Sequence, residues 1–237
     1  NMVPSLGAGY TGDYALATGC VATAMAQVMN KHQWPKATGN GSKSYQGING
    51  LTFSADFGNT TYDWENMLDR YQSGNYSQAE ADAVATLMYH CGVSVDMDYD
   101  QIVNGGSGAS SSDIPKALYT YFGYDKSMHA VRPDYVGFSV FQERMLNELV
   151  AGRPVLMSGS TVNDEGHAFV CDGYDGQFFH INWGWGGYQN GYFALSALDP
   201  EEQGMGGAAS GEGFHVRILG VMGLMPDQGG ELTPASL

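Results

Sequence analysis

The sequence predicts an α+β protein, with helices gathered in its first half and an antiparallel, barrel-like sheet in its second. Three observations lead there. The 237 residues suffice for a substantial core. Apolar residues at three- and four-residue spacing, with caps and stops, fall before residue 126 or thereabouts. Beyond it, short apolar runs alternate with Gly, Asn and Asp turns, as in a sheet built from hairpins. The expected division is a helical subdomain over residues 1–126 and a barrel subdomain over residues 127–237.

The first helix is expected over residues 20–32, where Ala and Met predominate, and it ends at Trp34-Pro35. Residues 38–59 are rich in Gly, Ser and Asn, and Tyr45, Ile48, Leu51 and Phe53 are the expected anchors of a short hairpin or ordered loop. A short helix follows over residues 63–68. Ser77-Gln78-Ala79-Glu80 has the capping-box pattern and opens a helix from Ala81 to Cys91, with Gly92 as its stop. Val84, Leu87, Met88 and Cys91 share one stripe of it, which makes Cys91 a core thiol. Residues 105–112 read as a flexible loop leading into a helix over 114–122, with Pro115 in its first turn.

In the second half an amphipathic helix over residues 141–151 stops at Gly152-Arg153-Pro154. Strands are expected over residues 155–159, 167–174, 178–183, 191–195 and 216–222, and Asp175-Gly176 is a hairpin turn between the second and third.

Ten basic residues face 25 acidic ones, a formal charge of −15. Phosphate neutralisation takes clustered Lys and Arg, so nucleic acid is excluded as a partner. The acidic residues form no long run and serve solubility. No apolar run reaches the ~18 residues of a membrane span. Charged residues make up only 15%, against 34 Gly and 15 Tyr, a mixture that suits an extracellular protein of many loops and strands. The start, Asn1-Met2-Val3-Pro4, carries neither a basic region nor an apolar stretch and reads as a mature or trimmed product. Of the three cysteines, Cys20, Cys91 and Cys171, at least one stays unpaired within the chain, and no C-x-x-C marks a metal site.

Cys20 stands where loop becomes helix, in Ala17-Thr18-Gly19-Cys20-Val21-Ala22. There the dipole and unsatisfied N–H groups of the helix start favour a thiolate. A thiol nucleophile also needs a base and a group that aims the base. His32 and His90 fall at or near helix ends and His129 and His215 beside loops, contexts that suit structural or surface residues. His167 differs: Gly166-His167-Ala168 puts an imidazole at the mouth of an apolar strand. The Asp175-Gly176 turn folds Asn182-Trp183-Gly184-Trp185-Gly186-Gly187 back beside it, so an amide or indole N–H of Asn182 or Trp183 can orient the ring. Cys171 lies four residues along the same strand, ~13 Å from His167 at strand rise, too far to pair with it. It is read as a core residue.

Gly19-Cys20-Val21-Ala22-Thr23-Ala24, Val95-Asp96-Met97-Asp98-Tyr99, Gly166-His167-Ala168-Phe169-Val170, Asp172-Gly173 and Asn182-Trp183-Gly184-Trp185-Gly186-Gly187 resemble the streptopain family of secreted bacterial cysteine peptidases over nearly the whole chain. The resemblance implies a papain-like fold, with a helical subdomain packed against a β-barrel subdomain, one catalytic domain in all, and the active site in the cleft between them. It implies a secreted, monomeric endopeptidase made as a zymogen, with the virulence role such enzymes carry. Protein or peptide substrates, a propeptide as intramolecular inhibitor, no metal and no organic cofactor follow from it. Cys20 is then the nucleophile and His167 the general acid–base, with Asn182-Trp183 at the orienting place. Gly166 and Trp185 contact substrate, and residues 205–213 resemble a Gly-rich loop over the cleft. The family also carries an oxyanion-hole glutamine upstream of its cysteine. None of the 19 residues before Cys20 is Gln, which leaves the backbone N–H of Cys20 as one donor. Two alternatives use the same cleft: a secreted peptide- or glycan-binding module without turnover, and acyl transfer by the same Cys-His pair.

Overall fold

The computed structural model describes residues 15–48, 50–72, 74–200 and 213–228. The chain divides into two compact units, residues 1–124 and 125–237.

In the first unit, α1 spans Cys20–His32, the range expected. Seven of its residues are buried, among them Val21, Met25, Val28 and Met29. A helix this apolar holds its place by packing on several sides. Lys31 and His32 in the last turn complement its dipole. Gly19 precedes it with φ 88°, a left-handed backbone that a side chain strains, and a Cβ there would lie 2.7 Å from the Met97 sulfur.

Strands β1 (Ser42–Gln46) and β2 (Thr52–Asp56) form an antiparallel hairpin. Phe53 is fully buried in it, whereas Ile48 at its tip is 78% exposed. Ile48 is therefore no anchor: in a two-stranded ribbon the turn residue has no facing layer to pack against. The expected helix at 63–68 is a single 3₁₀ turn, Trp64–Asn66. Helix α2 (Gln78–Ser94) carries the full capping box: the Ser77 hydroxyl accepts from the Glu80 N–H, and Glu80 accepts from the Ser77 N–H at 2.6 Å. It runs through Gly92 instead of stopping there. A Cβ at 92 would collide with the Tyr99 hydroxyl, so this glycine makes room for a packed ring and does not end the helix. Helix α3 spans Ile114–Tyr121. Residues 105–112 are tied in by two backbone bonds between Asp98 and Gly108, at 2.8 and 3.1 Å.

The second unit contains β3 (His129–Val131), α4 (Pro133–Val136), α5 (Phe138–Val150), β4 (Val155–Ser160), β5 (Gly166–Tyr174), β6 (Phe179–Asn182), β7 (Gly191–Phe193) and β8 (Val216–Met222). The strands form one antiparallel sheet in the order β3-β8-β4-β5-β6-β7. Among the described residues β3 and β7 are its edges, so the sheet is open and not a closed barrel. Three-residue strands at both edges carry too few ladder bonds to close it. Phe141 and Met145 of α5 cover the sheet, and Phe169, Cys171, Ile181, Trp183 and Phe193 fill the core beneath. The Asp175-Gly176 turn joins β5 to β6, with Asp175 Oδ1 accepting from the N–H groups of Gln177 and Phe178. Gly176 adopts φ 103°.

Two histidines of the first unit are structural. His90 is buried and hydrogen-bonds Tyr62 Oη at 3.0 Å, and His32 bonds Tyr124 Oη at 3.0 Å. Burial lowers both imidazoles to about 4, helped at His32 by Lys31 and opposed at His90 by Asp56. Unfolded histidine titrates near ~6.5, so between the two values the unfolded chain binds protons that the folded chain does not. Stability is full above the unfolded value and is lost as pH falls toward 4. Thermal unfolding followed by circular dichroism should show the midpoint falling from pH 6.5 to 4, less steeply in His90→Gln. A Gly19→Ala substitution should cost about 1–3 kcal/mol in denaturant unfolding, from its backbone strain and the Met97 contact.

Candidate active site

Cys20 is the first residue of α1 and is partly exposed. Its N-cap, Gly19, has no side chain to occupy the helix start, so the positive end of the dipole is left to the thiol. The approach to Cys20 is held at Ala17, whose N–H donates to the Asp100 carbonyl at 3.0 Å. The Ala17 carbonyl accepts from Ser107 Oγ at 2.7 Å. Thr23 closes the first turn, its N–H and hydroxyl both donating to the Gly19 carbonyl. The other thiols have the opposite surroundings. Cys91 and Cys171 are fully buried, and burial pushes both well above the ordinary thiol range. Cys91 packs with its sulfur 3.6 Å from that of Met29. Both stay protonated thiols in the core.

In the second unit, His167 is the second residue of β5 and pairs with Gly159 of β4. On its other side β6 pairs Asn182 with Val170. Continuing that antiparallel register brings Trp183 level with Phe169 and Trp185 level with His167. The rings agree: Trp183 lies 4.8 Å from Phe169, and Trp185 stacks on His167 at 4.9 Å and 28°. Phe214 approaches the imidazole at 5.1 Å. The imidazole therefore stands in an aromatic enclosure that strips most of its water.

The imidazole has a partner in the main chain that the sequence did not predict. Nε2 of His167 donates to the main-chain carbonyl of Trp183 at 2.8 Å. A carbonyl can only accept, so the proton of the neutral ring sits on Nε2 and the lone pair on Nδ1. The Trp183 indole N–H is buried and has no hydrogen-bond partner among the described residues. Asn182 Oδ1 accepts from the Gly184 N–H at 3.0 Å. One peptide group thus gives its carbonyl to His167 and its N–H to the Asn182 side chain. Burial lowers the His167 pKa, and the bond to the Trp183 carbonyl offsets part of that by favouring the protonated ring.

Asn190 completes the arrangement and sequence reasoning missed it. Its Oδ1 accepts from the Trp183 N–H at 3.0 Å. In the sequence it belongs to Tyr188-Gln189-Asn190-Gly191, where Asn-Gly reads as an ordinary turn before a strand. Phe214 was missed as well: it directly follows the expected 205–213 loop, but nothing in that string marks its ring as a neighbour of His167. Of the expected site residues, the structure brings His167, Trp183 and Trp185 into contact, with Asn182 one peptide group away. Gly166 opens β5 with no atom within 4 Å of where a Cβ would stand. Cys20 belongs to the first unit. The expected loop over residues 205–213 lies outside the described residues except for Gly213.

Among the described residues, no group of three or more His, Cys, Asp or Glu side chains could hold a metal ion. No helix there is long and apolar enough to cross a membrane.

The sequence profile of the peptidase C10 family matches residues 3–193. Streptopain of Streptococcus pyogenes serotype M28 is 39% identical over 223 residues, covering 90% of this chain and 54% of that protein. The thiol protease/hemagglutinin PrtT of Porphyromonas gingivalis is 37% identical over 213 residues, 88% of this chain and 24% of that one. The chain thus spans about half the length of streptopain and a quarter of PrtT. Among solved structures, the active wild-type interpain A cysteine protease of Prevotella intermedia superposes with a TM-score of 0.82 at 38% identity, covering 94% of this chain and 88% of that one. A prointerpain A fragment from the same organism gives a TM-score of 0.77 at 39% identity, covering 94% and 67%. The fold is α+β and papain-like, and the chain belongs to the peptidase C10 family.

Proposed function

We propose that this chain is a cysteine endopeptidase in which Cys20 is the nucleophile and His167 the general acid–base. The observation that carries the reading is the bond from His167 Nε2 to the Trp183 carbonyl, in a chain of this family. It commits one nitrogen to the protein and leaves Nδ1 to exchange a proton with a thiol and a leaving amine. Cys20 Sγ attacks the peptide carbonyl and its proton passes to His167. As the tetrahedral intermediate collapses, the C–N bond breaks, His167 gives that proton to the departing amine, and a thioester remains. His167 then takes a proton from water, whose oxygen attacks the thioester, and returns it to the sulfur as the carboxylic product leaves. The Cys20 N–H is one donor to the oxyanion. Trp185 and Gly166 lie beside His167 and are the proposed substrate contacts.

The reading extends to protein substrates and to a secreted proenzyme restrained by a propeptide. The existence of prointerpain A and a composition rich in Gly and Tyr with few charged residues support it.

A thiol-directed epoxysuccinyl inhibitor should label Cys20 alone, read by peptide mass mapping, and casein hydrolysis should vanish in Cys20→Ala. Labelling of Cys91 or Cys171 with Cys20 untouched, or casein cleavage by Cys20→Ala, contradicts the reading. Asn190 is a positioning residue: its removal frees the Trp183 N–H and loosens the carbonyl that His167 uses. Asn190→Ala should lower kcat about tenfold with KM little changed, the worth of one hydrogen bond. Asn190→Asp keeps an acceptor oxygen and should recover most of that loss. Equal loss in both variants would remove Asn190 from this role.

A further inference from the structure

Beside the imidazole, the second unit holds a cavity of about 380 Å³, a size typical of specific ligand pockets. Two of its walls, Trp185 and Phe214, are the rings that pack against His167 at 4.9 and 5.1 Å. The cavity is therefore one ring away from the proton-transferring group. Apart from Pro200, the rest of its described lining is polar, with Thr161, Asn163, Gln189, Glu165 and Asp199 contributing to it. Among the described lining residues the charged ones, Glu165 and Asp199, are both carboxylates, and Asp199 is only 3% exposed. Among the described residues, no Lys or Arg lines it. Arg217, which follows the first residue of β8, is engaged elsewhere, by Asp164 and by Ser160 Oγ.

That combination selects among side chains. An acidic side chain would meet two carboxylates in a partly enclosed space, where like charges repel more strongly than in water. A purely apolar one would draw water away from the Glu165 carboxylate and offer it no bond in return. A lysine or arginine satisfies both kinds of wall. Its methylene stem lies on the aromatic faces, and its cationic head reaches the carboxylates and the amide oxygens of Asn163 and Gln189.

We propose that this cavity is a subsite for a lysine or arginine side chain of the substrate, at one position flanking the scissile bond, with Glu165 as the residue that sets the preference. The proposal rests on the peptidase reading. Its test is a set of fluorogenic peptides in which each flanking position in turn carries Lys, Arg, norleucine or Glu. At one position kcat/KM should favour Lys and Arg over norleucine by about tenfold, as expected of a charge-assisted hydrogen bond. Glu165→Gln should cut that ratio severalfold, and Glu165→Lys should invert it in favour of Glu. Equal rates for all four side chains at every position would overturn the subsite. So would a cationic preference spread evenly over the positions, which reports the net charge of −15, or one unchanged in both Glu165 variants. Measuring the affinity of the same peptides for Cys20→Ala by fluorescence anisotropy separates the two proposals. A Lys-over-norleucine preference in binding supports the subsite even if no peptide is hydrolysed, an outcome that sinks only the peptidase reading. Absence of that preference in binding overturns the subsite even where hydrolysis proceeds.

Discussion

One peptide group, between Trp183 and Gly184, governs the candidate site. Its carbonyl accepts the His167 Nε2 proton at 2.8 Å and its N–H donates to Asn182 Oδ1 at 3.0 Å. The two bonds lie at opposite ends of one rigid plane, so neither can swing without the other, and each polarises its partner. Asn190 fixes the preceding N–H. Much of the second unit serves to present that plane. The β5–β6 hairpin brings it level with His167, the fully buried Trp183 ring anchors it in the core, and the stacked rings exclude water from the bond.

The first unit solves a different problem, the exposure of a thiol at the start of an otherwise buried helix. The left-handed Gly19 turns the chain onto α1, and Met97 fills the space its missing side chain leaves. The hydrogen bonds between Ala17 and Asp100 and Ser107 hold the segment that leads into α1. Three cysteines of identical chemistry are thus sorted by environment: two are held as protonated core thiols, and one is placed at a helix start.

The parts legible in the sequence were those written in short-range chemistry. The span of α1, the Ser77–Glu80 capping box and the Asp175-Gly176 turn are each specified by residues a few positions apart, and each stands where expected. The expectation failed where the deciding partner is distant. Gly92 reads as a stop until Tyr99 is seen to need its space. Ile48 reads as an anchor until the hairpin proves to leave it in solvent. Closure of the sheet could not be judged from strand spacing, because it depends on how its outermost strands pair. In the candidate site, residue types pointed to His167 and the Trp/Gly segment. They could not reveal an acceptor that belongs to the main chain, nor Asn190, whose function arises only when its turn folds back on Trp183.

That the acceptor is a backbone carbonyl has an evolutionary consequence. A side-chain acceptor can be deleted by a single nucleotide change, whereas every residue that could replace Trp183 still carries a carbonyl. Mutation at that position can perturb the packing that aims the group, but it cannot abolish the group itself. Selection on the identity of residue 183 therefore falls on the volume and shape of its ring, and the burden of preserving the imidazole's partner passes to the neighbouring asparagines.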